Sequence, residues 1–178
     1  MWKFLKIVGS VLLVAVAAIL IYASTKPDSF RVERSAAMNV PPEKIFPYIE
    51  GLKRWTEWSP YEGRDPAMKR AYSGAESGKG AVYEWDGNDD VGKGRMEIVD
   101  STPTHRVVIK LDFLKPFEGH NMAELTVEQK GGQTIVTWAM YGPSTFMTKL
   151  IGTFVDMDDM IGRDFAAGLA KLKAVVEK

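Results

Sequence analysis

The amino-acid sequence predicts an α+β fold in which a curved antiparallel sheet of about seven strands wraps round a long C-terminal helix. Six short segments of alternating apolar and polar residues follow one another between residues 68 and 142, separated by turn residues. Another such segment precedes them at residues 30–40, and apolar residues recur at helical spacing after residue 144. Strands joined by short turns pair in antiparallel fashion, and an amphipathic helix must bury its apolar stripe against their inner face.

The first strand, residues 30–40, is followed by two short helices. The segment PPEKIFPYIEGLKRWTEW begins with two prolines, which suit a helix N-terminus. Pro47 and Gly51 then divide the segment into two helices. Trp55 and Trp58 lie three residues apart on the second helix, near one face. We expect this pair to act as a structural wedge that closes one end of the sheet, with a position at the rim of a cavity as the alternative.

The six later strands have predicted inner faces that follow from their alternation. They are expected at residues 68–74, 80–87, 92–101, 105–114, 118–129 and 133–142. Their inner faces carry Tyr83, Trp85, Met96, Ile98, Val107, Ile109, Leu111, Phe113, Asn121, Ala123, Leu125, Val127, Val136, Trp138 and Met140. These faces assume regular strands, because a slip of one residue would invert a face. The pair Gly131-Gly132 predicts a hairpin turn.

A helix of about 30 residues is predicted from about Ser144 onward, loosened at Gly152 or Gly162. At 1.5 Å per residue it would be roughly 45 Å long. Its apolar stripe consists of Leu150, Phe154, Met157, Ile161, Phe165, Leu169, Leu172 and Val176. A helix held by a curved sheet leaves part of the space between them unfilled, and this space would be a cavity.

Residues 1–27 form an N-terminal segment ahead of a domain predicted at residues 28–178. The 19 residues between Lys6 and Lys26 carry no charge, and as a helix they would span about 28 Å, close to a bilayer core. We expect a signal-anchor that crosses the membrane through residues 7–23, with a cytoplasmic N-terminus because two lysines precede the apolar run. The alternative is a cleaved signal peptide, which leaves the domain secreted or periplasmic. Both place the domain outside the cytoplasm, which means the periplasm if the source is a Gram-negative bacterium.

The composition excludes several classes of function. The formal net charge is zero, from 23 basic and 23 acidic residues, so we expect no nucleic-acid partner. Beyond residue 27, 20 basic residues stand against 23 acidic ones, which makes the domain mildly acidic. The absence of cysteine excludes disulfides, thiolate catalysis and cysteine-based metal sites. We expect no cofactor.

The sequence also lacks the motifs of common catalytic sites. The segment GAESGKG, residues 74–80, has three residues between its first two glycines and no Ser or Thr after the lysine, so it predicts a turn and not a P-loop. No G-x-S-x-G is present. His105 and His120 are expected at the surface. The segment DMDDM, residues 156–160, predicts an acidic patch on a helix and no metal site.

Several segments resemble the SRPBCC (START-like, helix-grip) superfamily, and within it the polyketide cyclase/dehydrase-type bacterial branch. They are RWTEWSPYEGRDPAMKRAYSG, SGKGAVYEWDGNDDVGKGRMEI, FLKPFEGHNMAELTV, TIVTWAMYGP and IGRDFAAGLAKLK, and the resemblance covers residues 30–177. It implies an apolar cavity between sheet and C-terminal helix that binds hydrophobic small molecules. Some members of the superfamily catalyse cyclisation or dehydration. They share no universal catalytic motif, so no catalytic residue is carried over.

The leading hypothesis is a membrane-tethered extracytoplasmic domain that binds a hydrophobic small molecule or lipid. We expect the cavity to be lined by Trp55, Trp58, Tyr83, Trp85, Met96, Phe113, Asn121, Trp138, Met140, Phe154, Met157 and Met160. Asn121 stands on an otherwise apolar face and needs a hydrogen-bond partner or a ligand. Asp156 flanks the helix stripe near the expected cavity mouth.

Two alternatives remain. One is a polyketide cyclase- or dehydratase-like enzyme that uses polar residues of the cavity such as Asn121 and Asp156. The other is a structural or interaction domain whose cavity is filled by side chains. An empty volume well below about 300 Å³ would count against a drug-sized ligand.

Overall fold

The computed structural model describes residues 2–178, and this part of the chain forms four α-helices, one 3₁₀ helix and seven strands. In chain order the elements are α1 (Trp2–Ser24), β1 (Ser29–Met38), α2 (Pro42–Glu50), the 3₁₀ helix (Leu52–Glu57), β2 (Lys69–Gly74), β3 (Ala81–Asp86), β4 (Lys93–Thr102), β5 (Arg106–Lys115), β6 (Gly119–Lys130), β7 (Gln133–Pro143), α3 (Phe146–Ile151) and α4 (Met157–Val176).

The seven strands form one antiparallel sheet in the order β1-β7-β6-β5-β4-β3-β2. From β2 to β7 each strand pairs with the next one along the chain, as their short turns predict. The first strand pairs with the last, with Val32 opposite Met140. The α+β helix-grip fold predicted from the sequence is confirmed, including the two short helices after the first strand.

The predicted inner faces of the strands are also confirmed. On β5, for example, Val107, Ile109 and Leu111 are buried, whereas Lys110 between them is exposed. The register between β4 and β5 shifts at two places, after Lys93 and after Ile98. Both irregularities lie outside the stretch from Met96 to Ile98 that carries the inner-facing residues predicted for β4, so they do not invert them.

The C-terminal segment forms two helices, and the prediction of one helix of about 30 residues is wrong. α3 ends at Ile151, and α4 begins at Met157. Asp156 caps α4, since its Oδ1 accepts a hydrogen bond from the backbone N–H of Asp159 at 3.0 Å. A capping carboxylate satisfies the free N–H groups of a first turn, so it starts a new helix. The apolar spacing did not reveal the break because it continues across it.

Gly162 does not loosen α4, which continues through it. A Cβ at this position would overlap the guanidinium of Arg34 from β1. That guanidinium donates through Nη2 to Oδ2 of Asp158 at 2.8 Å. The glycine therefore lets Arg34 lie across the first turns of the helix and fix it to the edge strand.

The N-terminal helix α1 is exposed along almost its whole length. It is long and apolar enough to cross a membrane, a property that a signal sequence shares. It contacts α3, and Ala23 near its C-terminal end is fully buried. Most of α1 therefore lies outside the core of the domain, and its C-terminal end adjoins one end of the domain.

The layer between the sheet and α4 has two unlike halves. We call the half near the start of β1 and the end of β7 the proximal half, because it lies next to the end of α1; the other is the distal half. The distal half is a close-packed core of aliphatic side chains: Met38, Ile45, Ile49, Ile98, Val107, Ile109, Leu125, Val127, Val136, Leu169, Leu172 and Val176. In the proximal half, the same face of the sheet borders open space.

Candidate functional site

A cavity of about 1590 Å³ occupies the proximal half. Its walls come from the inner face of β3 to β7 and from the first turns of α4, and its mouth lies among residues 143–160. Pockets that bind drug-sized ligands have volumes of roughly 300–1000 Å³, so this volume, which includes the mouth, is ample. Eleven of the twelve residues predicted to line a cavity border this one: Trp55, Tyr83, Trp85, Met96, Phe113, Asn121, Trp138, Met140, Phe154, Met157 and Met160.

These residues differ in depth. Tyr83, Met96 and Met140 are buried in the wall, whereas Phe154 and Met160 are 69% and 43% exposed at the mouth. For Phe154, the break between α3 and α4 explains the exposure. It turns Phe154 away from the helix stripe on which the sequence placed it.

The floor of the cavity is an aromatic cluster. Trp138 stacks on Phe165 of α4 with ring centroids 4.2 Å apart. Trp58 and Trp55 meet Trp138 in tilted, edge-on arrangements at 5.2 and 5.7 Å. Such pairs add about 0.5–1.5 kcal/mol each beyond their burial. The floor is thus a rigid apolar plug between the cavity and the distal core.

The tryptophan pair has the structural role predicted for it, and one member also reaches the cavity. Trp58 is fully buried, does not border the cavity, and donates through Nε1 to the carbonyl oxygen of Tyr48 at 3.0 Å. Trp55 donates through Nε1 to the carbonyl oxygen of Ile49 at 3.1 Å. Both bonds tie the 3₁₀ helix back to α2. Trp58 therefore acts only as a structural wedge, whereas Trp55 acts as a wedge and also forms part of the cavity floor.

Trp138 has the one buried side-chain nitrogen or oxygen in residues 2–178 that lacks a hydrogen-bond partner. The rings of Trp55, Trp58 and Tyr61 surround its indole at 72–88° to the indole plane. Aromatic faces are weak hydrogen-bond acceptors. Packing within the cluster, and not a strong hydrogen bond, therefore holds this indole.

One wall of the cavity contains a buried polar network centred on Glu62. The hydroxyl of Tyr83 donates to Oε1 of Glu62 at 2.7 Å, and Nε of Arg70 donates to Oε2 at 2.7 Å. The Glu62 side chain is only 8% exposed. Burial raises the pKa of Tyr83, and its hydrogen bond to the carboxylate raises it further. Tyr83 therefore stays protonated at neutral pH, and both carboxylate oxygens are engaged.

A second polar link joins the loop after Pro60 to α4. Arg64 is paired with Asp164 of α4, and Tyr61 lies beside this pair with its pKa raised by burial. The sequence analysis did not single out Glu62, Arg64 or Asp164. The first two stand in a loop without periodicity, and Asp164 is on the polar side of a helix, so no pattern marked them as cavity residues.

Asn121 and Asp156, the polar residues singled out from the sequence, have different environments. Asn121 borders the cavity on β6, and its side-chain amide makes no hydrogen bond within residues 2–178. A Cβ on Gly142 of the neighbouring strand would overlap Oδ1 of Asn121, so the glycine makes room for this amide. Asp156 is exposed at the mouth and is engaged as the cap of α4. Asn121 therefore presents to the cavity an amide that has no hydrogen-bond partner among the described residues.

Of the two histidines, His120 borders the cavity, whereas His105 does not. His120 is exposed, and its Nδ1 lies 2.7 Å from Oδ1 of Asp112 on the outer face of the sheet. Burial opposes ionisation of Asp112, but hydrogen bonds from His120 and Lys110 outweigh it and hold the pKa below its usual range. His105 is exposed at the start of β5. Both histidines are at the surface, as their positions in the sequence predict.

Comparison with known proteins gives a family and a fold. Residues 29–177 match the model of the family described as polyketide cyclase / dehydrase and lipid transport. No curated protein matches the chain significantly.

Similar solved structures include three bacterial proteins. Protein CV1439 from Chromobacterium violaceum is 14% identical, with a TM-score of 0.58, over 86% of this chain and 99% of that one. Protein Ms6760 from Mycobacterium smegmatis is 14% identical, with a TM-score of 0.57, over 83% and 90%. Protein SA2116 from Staphylococcus aureus, of unknown function, is 14% identical, with a TM-score of 0.61, over 84% and 94%. At this identity the similarity shows the fold alone.

Proposed function

The chain belongs to the polyketide cyclase/dehydrase and lipid transport family, and from this premise we propose that its cavity binds a hydrophobic small molecule or lipid. The observation that carries the proposal is the large, mainly apolar cavity of the proximal half. Each buried CH₂ of a ligand contributes about 0.8 kcal/mol. A chain of about ten carbons therefore contributes roughly 8 kcal/mol, which is comparable to the cost of association.

The orientation of the ligand would be set by the few polar groups of the wall. The Asn121 amide is unpartnered and can donate and accept, as a ligand carbonyl or hydroxyl requires. Tyr83 already donates its proton to Glu62, so its oxygen offers an acceptor only. A ligand with an apolar chain and one neutral polar group fits this wall best.

The domain would be held at a membrane by α1. Its length and apolar composition support a signal-anchor through residues 7–23, and its almost complete exposure leaves it without a soluble partner in the chain. In this proposal the domain from residue 28 onward lies outside the cytoplasm. Removal of α1 as a signal peptide is the alternative, and N-terminal sequencing of the membrane fraction distinguishes the two.

The carboxylates deepest in the site favour binding over acid–base catalysis. Glu62 is held by Tyr83 and Arg70, and Asp164 is paired with Arg64. A catalytic base needs a free position within hydrogen-bond reach of its substrate. The open volume likewise favours binding over a domain whose cavity is filled.

The proposal is tested by native mass spectrometry of the full-length chain, purified from its membrane and released from the micelle in the gas phase. We expect a retained hydrophobic adduct. Ala123, buried on the cavity face of β6, provides an occluding variant, since Ala123→Phe projects a ring into the open volume. The Ala123→Phe variant should lose the adduct and keep the fold.

The matched control is Thr126→Phe on the outer face of the same strand, which should retain the adduct. Absence of an adduct from the wild-type chain would contradict ligand binding. Equal retention in both variants would show that the ligand does not occupy this cavity.

A further inference from the structure

Exposed large hydrophobic side chains outside α1 are confined to one end of the domain. Within residues 25–178, all of them fall in two segments, 114–117 and 146–160, which together we call the apolar rim. The largest, Phe117, Phe146 and Phe154, are 64%, 50% and 69% exposed. Single exposed apolar residues are ordinary, but a cluster restricted to one end marks an interaction surface.

The apolar rim surrounds the mouth of the cavity. Phe117, Met147 and Phe154 border the open volume, and so do Lys26 and Pro27, which follow α1 directly. The mouth, the rim and the end of the apolar helix therefore form one continuous surface.

The chain leaving α1 is fixed to the rim. The carbonyl oxygen of Asp28 accepts a hydrogen bond from the backbone N–H of Ser144 at 2.8 Å. The Asp28 carboxylate pairs with Lys149, and Lys26 donates to the carbonyl oxygen of Gly152.

The connection is also short. From Ser24 to Ser29 a fully extended chain spans at most about 18 Å. The mouth cannot move far from the point where α1 leaves a membrane.

We infer that the apolar rim inserts into the interface of the bilayer that α1 crosses, and that the ligand is a membrane-dissolved lipid that enters the cavity directly from the adjacent leaflet. The inference rests on the proposed function. Aromatic side chains such as Phe146 and Phe154 are suited to the boundary between the lipid headgroups and the acyl chains. Their burial there removes apolar surface from water. A lipid could then reach the cavity without crossing water.

Charge at the rim does not favour anionic lipids. Lys149 on the rim is paired with Asp28, and Lys115 is matched by Glu118 three residues later in the chain. A basic surface would add roughly 1 kcal/mol per residue on anionic membranes, and this rim has no such excess. Insertion therefore depends on apolar contact, and phosphatidylcholine alone should suffice.

The absence of native cysteine permits single-cysteine probes in the full-length chain. The variants Phe154→Cys on the rim, Lys130→Cys at the distal end and Val14→Cys within α1 carry the same environment-sensitive fluorophore. Each is reconstituted in phosphatidylcholine vesicles that contain nitroxide-labelled phosphatidylcholine. We expect strong quenching at residues 14 and 154, several-fold above that at residue 130.

Quenching at residue 154 no greater than at residue 130, with residue 14 quenched, would overturn the inference. Lack of quenching at residue 14 would overturn it together with the membrane anchor. The adduct experiment on Ala123→Phe reports ligand binding separately. If an adduct is found but residue 154 is not quenched, only the entry of the ligand from the membrane is contradicted. If residue 154 is quenched but no adduct is found, the rim docks on the bilayer, and uptake of a ligand is contradicted.

Discussion

The distal and proximal halves are built from the same strands and the same helix, yet one is filled and the other is open. On β5, Val107 and Ile109 pack into the distal core, whereas Leu111 and Phe113 further along the strand border the cavity. On β6, Leu125 is distal and Asn121 proximal. The inner face therefore continues unbroken, and what changes is the layer opposite it.

That opposite layer is complete only in the distal half. α4 covers the sheet from Met157 onward, and the break before Asp156 diverts the chain that would otherwise continue the helix over the proximal half. Alternation in a strand fixes the direction of a side chain but not whether another side chain meets it. The proximal half is open because α4 begins only at Met157 and does not extend further over it.

The largest expected effect is at the boundary between the halves. Trp58→Ala removes a fully buried indole and its hydrogen bond to Tyr48, so the free energy of unfolding should fall by about 3–5 kcal/mol. Trp55→Ala should lower the free energy of unfolding by less, because open volume lies on one side of Trp55. Urea unfolding followed by circular dichroism measures both. Equal losses would mean that the cavity does not reach Trp55.

A leucine pair compares the halves directly. Leu125→Ala in the distal core should lower the free energy of unfolding by about 2–5 kcal/mol, because a close-packed site cannot collapse round the void. Leu111→Ala should lower it by about 1 kcal/mol, since part of that side chain already borders open space. A loss at residue 111 as large as at residue 125 would show that the proximal half is packed in solution.

The polar network of the proximal wall should contribute less than the distal core. Glu62→Ala leaves Tyr83 and Arg70 without their partner, and we expect a loss of about 2 kcal/mol in the free energy of unfolding. Arg70 is partly exposed, so water recovers some of the loss. Glu84→Ala, at an exposed position on the outer face of β3, is the matched control. No difference between the two variants would show that the network does not stabilise the fold.

The smallest effect is on alkaline stability. The pKa of Tyr83 is raised by burial and by Glu62, so the folded chain keeps a proton that the unfolded chain loses near pH 10. This contribution is complete below about pH 10 and declines as the pH rises above it. Tyr83→Phe should therefore make the fall of the urea midpoint between about pH 9 and pH 11 shallower than in the wild type. An unchanged slope would indicate that this hydroxyl is accessible to water.

The neighbour order of β2 to β7, the strand faces and the α+β architecture could be predicted from the sequence, because alternation and turn residues determine them locally. Trp138 and Met140 could be assigned to the inner face in the same way. The pairing of β1 with β7 could not be predicted in this way, since about 100 residues separate the two strands. The helix break could not be predicted, since Leu150, Phe154 and Met157 keep a helical spacing across it. A cap such as Asp156 acts through one hydrogen bond, which leaves no periodic signal.

The polar part of the site was the least predictable. Asn121 was found because it interrupts an apolar face. Glu62 comes from an irregular loop, and its partners Arg70 and Tyr83 are brought to it only by the pairing of β2 with β3. Contacts of this kind depend on tertiary structure and not on spacing.

The central claim, that the proximal half takes up a ligand and the distal half does not, is tested most directly by methionine-methyl NMR of the full-length chain in phosphatidylcholine nanodiscs. Met96 and Met140 line the cavity, and Met38 is fully buried in the distal core. A nitroxide-labelled methyl stearate, whose ester is a neutral polar group, should strongly broaden the methyl signals of Met96 and Met140 and leave that of Met38 sharp. Three signals that remain equally sharp, or broaden equally, would contradict the claim.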